Sequence, residues 1–247
     1  MDTRLQQPTL ELRNVTKSYG TRNVVDGVAL TLRPGTITGL VGVNGSGKTT
    51  LFKVIAGLLK PASGTIDLVY DSRNRVSLLP LSADRRVRLG LHYQGQERRL
   101  LSRLSSLNNL KIAKRSTGEQ PDAAAIIGRL EELRLTNLLA RWSGELKRPE
   151  IVLLLLAKAY VLESRFLFID EPFANMDRRG VFHCIAIMIK LREQGACITV
   201  SDHHANTILE FVDDICIMRH GSIAFLDTTA AARSSLEAKR LYFGPNA

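Results

Sequence analysis

The sequence has no apolar run long enough to cross a membrane. Its longest uncharged apolar stretch, 151–157, stops at Lys158, far short of the ~20 residues that span a bilayer. Residues 1–14 also lack the basic segment followed by an apolar one that marks a secretory signal. We therefore expect neither a membrane span nor a cleaved leader in this sequence of 247 residues.

Cysteine is scarce as well, and its placement excludes a disulfide framework. The three cysteines are Cys184, Cys197 and Cys216, and no two of them form a Cys-x-x-Cys pair. An odd number of widely spaced cysteines is typical of free thiols in a reducing compartment. The sequence therefore predicts a cytosolic setting.

Acidic residues are too few to balance the basic ones. Lys and Arg number 34 against 24 Asp and Glu, which gives a net charge of +10. Such an excess suits an anionic membrane face, nucleic acid or a polyanionic ligand, and equally an ordinary solvated surface. The cations gather at 72–75, 84–88 and 97–103 without an aromatic ladder beside them, so stacking on single-stranded nucleic acid is poorly supported.

Strand and helix patterns alternate along most of the chain. Alternating or continuously apolar segments predict strands at 8–20, 24–35, 36–42, 64–68, 165–172 and 196–202, and a hairpin at 215–226. Helical spacing predicts helices at 48–59, 123–135 and 181–195, and after Pro149. This order predicts an α/β fold with parallel strands and a helical insertion.

The segment 42–49, Gly-Val-Asn-Gly-Ser-Gly-Lys-Thr, fills every fixed position of the phosphate-binding pattern G-x-x-x-x-G-K-[ST]. It lies between an apolar strand and a helix, where backbone N–H groups and the helix N-terminus can wrap a phosphate chain. In this pattern Lys48 reaches the β- and γ-phosphates and the Thr49 hydroxyl ligates Mg²⁺. The candidate nucleotide-binding residues are Gly42, Asn44, Gly45, Ser46, Gly47, Lys48, Thr49 and Thr50.

The segment 166–172, Phe-Leu-Phe-Ile-Asp-Glu-Pro, supplies the expected partner of that loop. Asp170 ends a buried strand, where its carboxylate can hold the Mg²⁺ shell. Glu171 follows and can order or deprotonate an attacking water. Adjacent Asp and Glu alone are an ordinary strand end, but after a phosphate-binding loop they predict a nucleoside triphosphatase.

With these motifs in this order, the chain resembles an ATP-binding-cassette (ABC) ATPase over nearly its whole length. The resemblance implies that Tyr19 stacks on adenine and that Gln96 links Mg²⁺ to the groove for the membrane subunits, with Gln94 as a competing glutamine. It also implies that His203, in preference to His204, senses the γ-phosphate. Glu171, Gln96 and His203 are thus the candidate catalytic residues.

The resemblance also implies an architecture and a set of partners. A single P-loop ABC ATPase domain over 1–247 would comprise a core, 1–96 and 164–247, with a parallel sheet and an antiparallel β part, and a helical subdomain, 97–163. In this family two ATPases clamp two ATP molecules with Mg²⁺ beneath integral-membrane subunits, and Asp177 matches the acid of the loop that crosses to the partner. The second ATPase is an identical or a different chain, and no nucleic acid is expected. The chain is then peripheral on the cytoplasmic face of the membrane.

Three segments are most similar to the ATPase subunit of the lipopolysaccharide exporter of Gram-negative envelopes: 76–86, 104–110 and 239–244. Lipopolysaccharide or another lipid is the substrate class that this similarity implies. The last segment also resembles ATPases of branched-chain amino-acid importers, which are the alternative assignment.

The family's signature, Leu-Ser-Gly-Gly-Gln, is not intact in this chain. Residues 142–146, Trp-Ser-Gly-Glu-Leu, keep a serine and a glycine of it. Counting back from Asp170 without gaps gives a different register, which we favour because four extra residues in a packed helix would rotate its apolar face by about 40°. The degenerate signature is then Leu146, Lys147, Arg148, Pro149 and Glu150.

The altered signature leads to a hypothesis about function. Lys147 replaces a hydroxyl donor with a flexible cation, Arg148 adds bulk near the ligand, and Pro149 removes an N–H although it is tolerated in a helix's first turn. We expect the chain to bind Mg-ATP, to form a weakened sandwich with itself, and to act with an intact second ATPase. A regulatory module that binds ATP without hydrolysing it is the rival interpretation. A nucleic-acid-associated ABC ATPase is disfavoured, because such proteins usually carry two cassettes or a long coiled coil.

Overall fold

The computed structural model describes residues 7–95, 100–202, 205–235 and 238. Within them the chain forms strands β1 (Thr9–Tyr19), β2 (Arg22–Leu32), β3 (Ile37–Val41), β4 (Ser63–Val69), β5 (Arg75–Ser77), β6 (Leu91–Gln94), β7 (Phe166–Asp170), β8 (Cys197–Ser201), β9 (Asp214–Arg219) and β10 (Ser222–Thr228). The helices are α1 (Lys48–Ile55), α2 (Ala83–Arg88), α3 (Ser106–Ser116), α4 (Ala123–Glu132), α5 (Arg148–Val161), α6 (Arg178–Glu193), α7 (Ala205–Leu209) and α8 (Thr229–Ser234).

Two sheets form the core of the molecule. One has six strands in the order β10-β9-β3-β8-β7-β6, in which β10 is antiparallel to β9 and the other neighbours are parallel. The other has four antiparallel strands in the order β2-β1-β4-β5. Every residue of β3, β7 and β8 is buried, as expected of central strands covered on both faces. The predicted α/β fold with a parallel sheet and an antiparallel part is confirmed.

The insertion between β6 and β7 is helical. It contains α3, α4 and α5, which contact one another, and α5 also packs on α6. Leu154 and Leu156 of α5 are fully buried, as is Leu130 of α4, so this bundle and one face of the large sheet share a hydrophobic core. The helix predicted after Pro149 is therefore present, with a buried apolar run.

Three elements early in the chain were not predicted: β5, α2 and β6. Four of the six residues of α2 are charged, so its sequence did not indicate a buried contact. Arg86 is buried and donates from Nη1 to the carbonyls of Val54 (2.9 Å) and Ile55 (2.6 Å) at the end of α1. The guanidinium thus satisfies carbonyls that a helix C-terminus leaves unpaired.

The bounds of α1 also differ from the prediction. The helix ends at Ile55 and not at residue 59, because Gly57 adopts a positive φ of 77° that turns the chain out of the helix. None of the helices in the described ranges is long and apolar enough to cross a membrane.

Candidate nucleotide site

The phosphate-binding loop joins β3 to α1 in a space too tight for side chains at two glycines. Gly47 caps α1 with φ 109°, and a Cβ built on it would lie 2.4 Å from the Val24 carbonyl oxygen. A Cβ on Gly42 would lie 2.3 Å from the Met218 carbonyl oxygen. The glycines therefore let the loop backbone turn back onto β2 and β9, so that its remaining surface faces the cavity.

Lys48 starts α1 and is held beneath this loop. Its side chain is buried, and Nζ donates to the carbonyl oxygens of Gly42 (2.7 Å) and Val43 (3.2 Å). Burial lowers the pKa of the Lys48 amine, while the carboxylates of Glu171 and Asp170 oppose that change. Two carbonyls thus fix the lysine's position at the phosphate loop.

The loop encloses a cavity that fits an anion. Ser46 is buried, and within the described residues its hydroxyl oxygen has no hydrogen-bond partner, which is costly unless a ligand supplies one. The cavity measures about 450 Å³. Its lining residues are Val24, Asn44, Gly45, Ser46, Gly47, Lys48, Thr49, Thr50 and Glu171.

Asp170 lies at the end of β7, directly beside the start of α1. It is buried, and its Oδ2 accepts a hydrogen bond of 2.6 Å from the Thr49 hydroxyl. Its Oδ1 accepts one of 2.6 Å from the Ser201 hydroxyl, and the Tyr93 hydroxyl lies 3.4 Å from Oδ2. Burial, together with the charge of Asp170, raises the pKa of the Tyr93 hydroxyl well above its usual value. The structure thus brings the two predicted metal ligands, Thr49 and Asp170, into direct contact.

Glu171 follows in a strained backbone position. Its φ is 48°, in the left-handed region that a non-glycine residue adopts at a cost. Its N–H donates to the Ser201 carbonyl at 2.9 Å, and the residue lines the phosphate-loop cavity. Glu171 and Lys48 therefore line the same cavity.

Two residues that position the predicted metal ligands were not predicted from the sequence. Ser201 ends β8 and pairs in register with Asp170, so a serine at the end of the predicted strand 196–202 was an available signal. Tyr93 occupies the neighbouring strand β6, which was itself not predicted. Gln94 donates from Nε2 to the Leu155 carbonyl at 2.7 Å, and so it ties β6 to α5.

Tyr19, the predicted adenine-stacking residue, lies at the end of β1. Its side chain is half exposed, and the Lys17 ammonium lies 5.2 Å from the ring centroid. Tyr19 is not among the residues that line the phosphate-loop cavity. The predicted catalytic residues Gln96 and His203 lie outside the described residues.

The two candidate signature segments differ in what their side chains do. Ser143, of the segment 142–146, is buried, and its hydroxyl accepts a hydrogen bond of 2.8 Å from Asn109. The Ser143 hydroxyl is therefore not available at the surface. In contrast, Lys147 and Arg148 at the start of α5 are exposed.

Glu150, one turn along α5, caps the backbone at the start of the helix. The Glu150 carboxylate accepts a hydrogen bond of 2.8 Å from the Lys147 N–H and pairs with Arg141. Desolvation opposes ionisation, but the Lys147 amide and the Arg141 guanidinium outweigh it and lower the pKa of Glu150. Leu146 is buried, and Pro149 occupies the first turn. Leu146–Glu150 do not line the phosphate-loop cavity.

Asp177, the predicted dimer-loop acid, has a structural role in the single chain. Its Oδ1 accepts a hydrogen bond of 2.8 Å from the Gly180 N–H, so it is the N-cap of α6. It does not line the phosphate-loop cavity.

A family model for ABC transporters matches residues 25–174, which include the phosphate loop and the end of β7. The chain belongs to the ABC transporter family. It is 32% identical over 246 residues to the lipopolysaccharide export system ATP-binding protein LptB of Escherichia coli (strain K12), with 96% of this chain and 97% of that protein covered. It is also 32% identical over 245 residues to the uncharacterized ABC transporter ATP-binding protein R00382 of Rhizobium meliloti (strain 1021), covering 96% and 87%.

Solved structures agree with this ABC ATPase fold. The ADP conformation of MJ1267, an ATP-binding cassette of an ABC transporter, superposes with a TM-score of 0.82 at 23% identity. The match covers 96% of this chain and 99% of that one. The prediction of an ABC-type ATPase subunit is confirmed.

Replacing Gly47 with alanine is expected to weaken ATP binding at least about tenfold and to destabilise the fold by ~1–3 kcal/mol. The added Cβ would meet the Val24 carbonyl at 2.4 Å and require a φ of 109°. Thermal melting and titration with a fluorescent ATP analogue measure the two effects. Gly128→Ala is the control, since its Cβ would meet nothing within 4 Å in α4. It should keep the affinity for ATP and raise the free energy of unfolding by about 0.5–1 kcal/mol.

Proposed function

We propose that the chain hydrolyses ATP at the phosphate loop and so drives transport through separate integral-membrane subunits. The observation that carries this proposal is the 2.6 Å contact between Thr49 and Asp170, with Glu171 facing the same cavity as Lys48. The residues proposed to bind phosphate, metal and water are thus gathered at one site. The division into a core, 1–96 and 164–247, and a helical subdomain, 97–163, belongs to the same proposal.

Mg²⁺ is the metal that this site would hold. Thr49 and Asp170 offer hard oxygen donors beside the phosphate loop, the ligand type that Mg²⁺ takes together with phosphate oxygens. Bound there, Mg²⁺ would neutralise charge on the phosphates. Ser201 holds the second carboxylate oxygen of Asp170, so the ligand keeps its orientation. Gln96 is proposed as the further metal contact. The Gln94 side chain already donates a hydrogen bond to the Leu155 carbonyl, which supports Gln96 over Gln94.

The chain's own groups would divide the remaining work. Lys48 binds the β- and γ-phosphates, and Tyr19 provides the exposed ring on which adenine stacks. The Glu171 carboxylate orders the attacking water and accepts its proton. His203 is assigned to the γ-phosphate.

The second ATPase of the sandwich is proposed to be a different chain with an intact signature. Support comes from the start of α5, which offers exposed Lys147 and Arg148 and lacks the N–H of Pro149. The burial of Ser143 removes the alternative serine from the surface. An ATP molecule in the partner would then face a degenerate site, while the ATP bound here faces good donors. Asp177 is the proposed crossing contact.

The transported substrate is proposed to be lipopolysaccharide or another envelope lipid. The named relative LptB belongs to a lipopolysaccharide export system, and the match to it spans nearly the whole chain. The chain would be a peripheral subunit on the cytoplasmic face of the membrane, where its net charge of +10 suits anionic lipid headgroups. No nucleic-acid partner is proposed.

Lys48→Met tests nucleotide binding at the proposed site. Loss of the charge-assisted contacts should weaken Mg-ATP binding by about 2–3 kcal/mol, or roughly 100-fold, as measured by calorimetric titration. Lys60→Met, which changes an exposed lysine five residues beyond α1, should leave the affinity unchanged. Equal affinities for the two variants would refute the assignment of Lys48 to phosphate.

A further inference from the structure

Three hydroxyl groups contact the carboxylate of Asp170, and they come from three different elements. Thr49 of α1 donates to Oδ2 and Ser201 of β8 donates to Oδ1, each at 2.6 Å. The third hydroxyl, that of Tyr93 in β6, lies 3.4 Å from Oδ2. The buried carboxylate is therefore held from α1, β6 and β8 at once.

The number of these donors limits what else the Asp170 carboxylate can bind. An ionised carboxylate has about four lone-pair sites, two on each oxygen. Thr49 and Tyr93 occupy the two sites of Oδ2, and Ser201 occupies one of the two on Oδ1. As far as the described residues go, one site on Oδ1 is left for a metal ion or for a water bound to one.

Two neighbours hold the Tyr93 ring beside Asp170. The ring of Phe52, in α1, meets it edge to face with 6.3 Å between the centroids. The backbone of Gly95 lies against its outer end: a Cβ built on Gly95 would be 2.8 Å from the Tyr93 hydroxyl oxygen and 2.9 Å from Cζ. The position of the hydroxyl thus depends on the missing side chain at residue 95.

Space, and not backbone conformation, accounts for the glycine at position 95. Gly95 is not one of the glycines with a positive φ, so its backbone conformation is open to other residues. A side chain there would instead collide with the end of the tyrosine and push its hydroxyl away from Oδ2. Gly95 and Tyr93 therefore act as one unit on Asp170.

The contacts that a carboxylate can offer affect which divalent ion it suits. Mg²⁺ is small, demands near-ideal octahedral geometry and keeps several of its waters. Ca²⁺ is larger and takes about six to eight oxygen ligands, among them carboxylates that bind through both oxygens. A carboxylate limited to one contact suits Mg²⁺, whereas one with a free site on each oxygen can also bind Ca²⁺ through both.

We propose that Tyr93 makes the metal site select Mg²⁺ over Ca²⁺, and that Gly95 is required because it lets the tyrosine hydroxyl lie beside Oδ2 of Asp170. This inference rests on the proposed function, which supplies the metal site. Tyr93 is a positioning residue, since it acts through Asp170. Without its hydroxyl, Oδ2 regains a lone-pair site, and the carboxylate can meet the larger ion with both oxygens.

The test is calorimetric titration of ADP into the full chain with saturating Mg²⁺, saturating Ca²⁺ or EDTA. The ratio of the two metal-dependent affinities is the metal preference. Tyr93→Phe keeps the ring and removes the hydroxyl, and it should lower this ratio about tenfold, the low end of what a group that orients a metal ligand contributes. The affinity in EDTA should not change. Tyr70→Phe, directly after β4, is the matched control and should keep the ratio.

Gly95→Ala tests the dependence on the glycine. The added Cβ should displace the Tyr93 hydroxyl and lower the ratio by the same factor. Because both substitutions act on one contact, the variant that combines Gly95→Ala with Tyr93→Phe should lose about tenfold and not about a hundredfold. Gly128→Ala, which adds a Cβ in open space, should keep the ratio.

The metal preference separates a positioning role of Tyr93 from a merely structural one. A lower Tm with an unchanged ratio in Tyr93→Phe would overturn the proposal, as would an equal fall of the ratio in Tyr70→Phe. Multiplied losses in the double variant would overturn the link between Gly95 and Tyr93.

Failure of this inference can be told from failure of the proposed function. If the unmodified chain binds ADP equally well with Mg²⁺ and with EDTA, the proposed metal site is wrong, and the inference fails with it. If Mg²⁺ strengthens binding but the ratio survives in Tyr93→Phe, only the inference about Tyr93 is wrong.

Discussion

Restoring the signature, by Lys147→Ser, Arg148→Gly and Pro149→Gly together, is expected to raise ATP hydrolysis by the purified chain about 100-fold. The substitutions supply a hydroxyl and an N–H at the start of α5, and one lost donor in a comparable anion site costs 10²–10³-fold in rate, or ~3 kcal/mol. They also remove the bulk of Arg148 and two cations that oppose the helix dipole. Steady-state phosphate release measures the effect.

The control must separate the signature from the loss of charge. Lys60→Ser with Arg73→Gly removes two exposed cations elsewhere and should leave the rate as it was. Serine is also a good N-cap, so melting curves should show that the restored chain folds as stably as the original. A rate for the unmodified chain that already matches ordinary ABC ATPases would contradict the weakened sandwich.

Replacing Glu171 with glutamine is expected to lower ATP hydrolysis about 10³-fold, within the range that a general base contributes. The signature-restored chain is the background of choice, because its higher rate makes the loss measurable. ATP affinity should stay the same, since glutamine keeps the shape of the side chain and Lys48 still holds the phosphates. Single-turnover hydrolysis with calorimetric binding separates the two quantities.

Glu210→Gln is the matched control for this substitution. It makes the same chemical change at the end of α7, next to Leu209 and away from the residues that line the nucleotide cavity. Its hydrolysis rate should equal that of the background chain. If the Glu171→Gln variant still hydrolyses ATP, Glu171 is not the general base. Its positive φ would then be a feature of the turn alone.

Much of the nucleotide site could be predicted because its chemistry is local in sequence. The loop 42–49 binds through backbone N–H groups, so its glycine spacing is visible directly, and Asp170 follows a buried strand. Contacts between distant strands were not visible. Ser201 and Tyr93 reach Asp170 only because β8 and β6 flank β7 in the sheet, and strand order is not encoded in any one segment.

The helical insertion shows a second limit. Periodicity predicted the helix after Pro149, but no pattern indicates that Ser143 is buried against Asn109, or that Arg86 closes the end of α1. Those side chains are polar, and a sequence places polar residues at the surface by default. Burial of a polar group depends on partners supplied by tertiary packing, which appear only in the folded chain.

Ser201 gives the two acids of the proposed catalytic site, Asp170 and Glu171, a common anchor. Its hydroxyl holds Asp170 and its carbonyl holds the N–H of Glu171, so one residue of β8 sets the position of both acids. A displacement of β8 along its axis would therefore act on the Asp170 carboxylate and on the backbone of Glu171 at the same time. Because His203 follows Ser201 by two residues, a displacement that begins at His203 would reach both acids through this one serine.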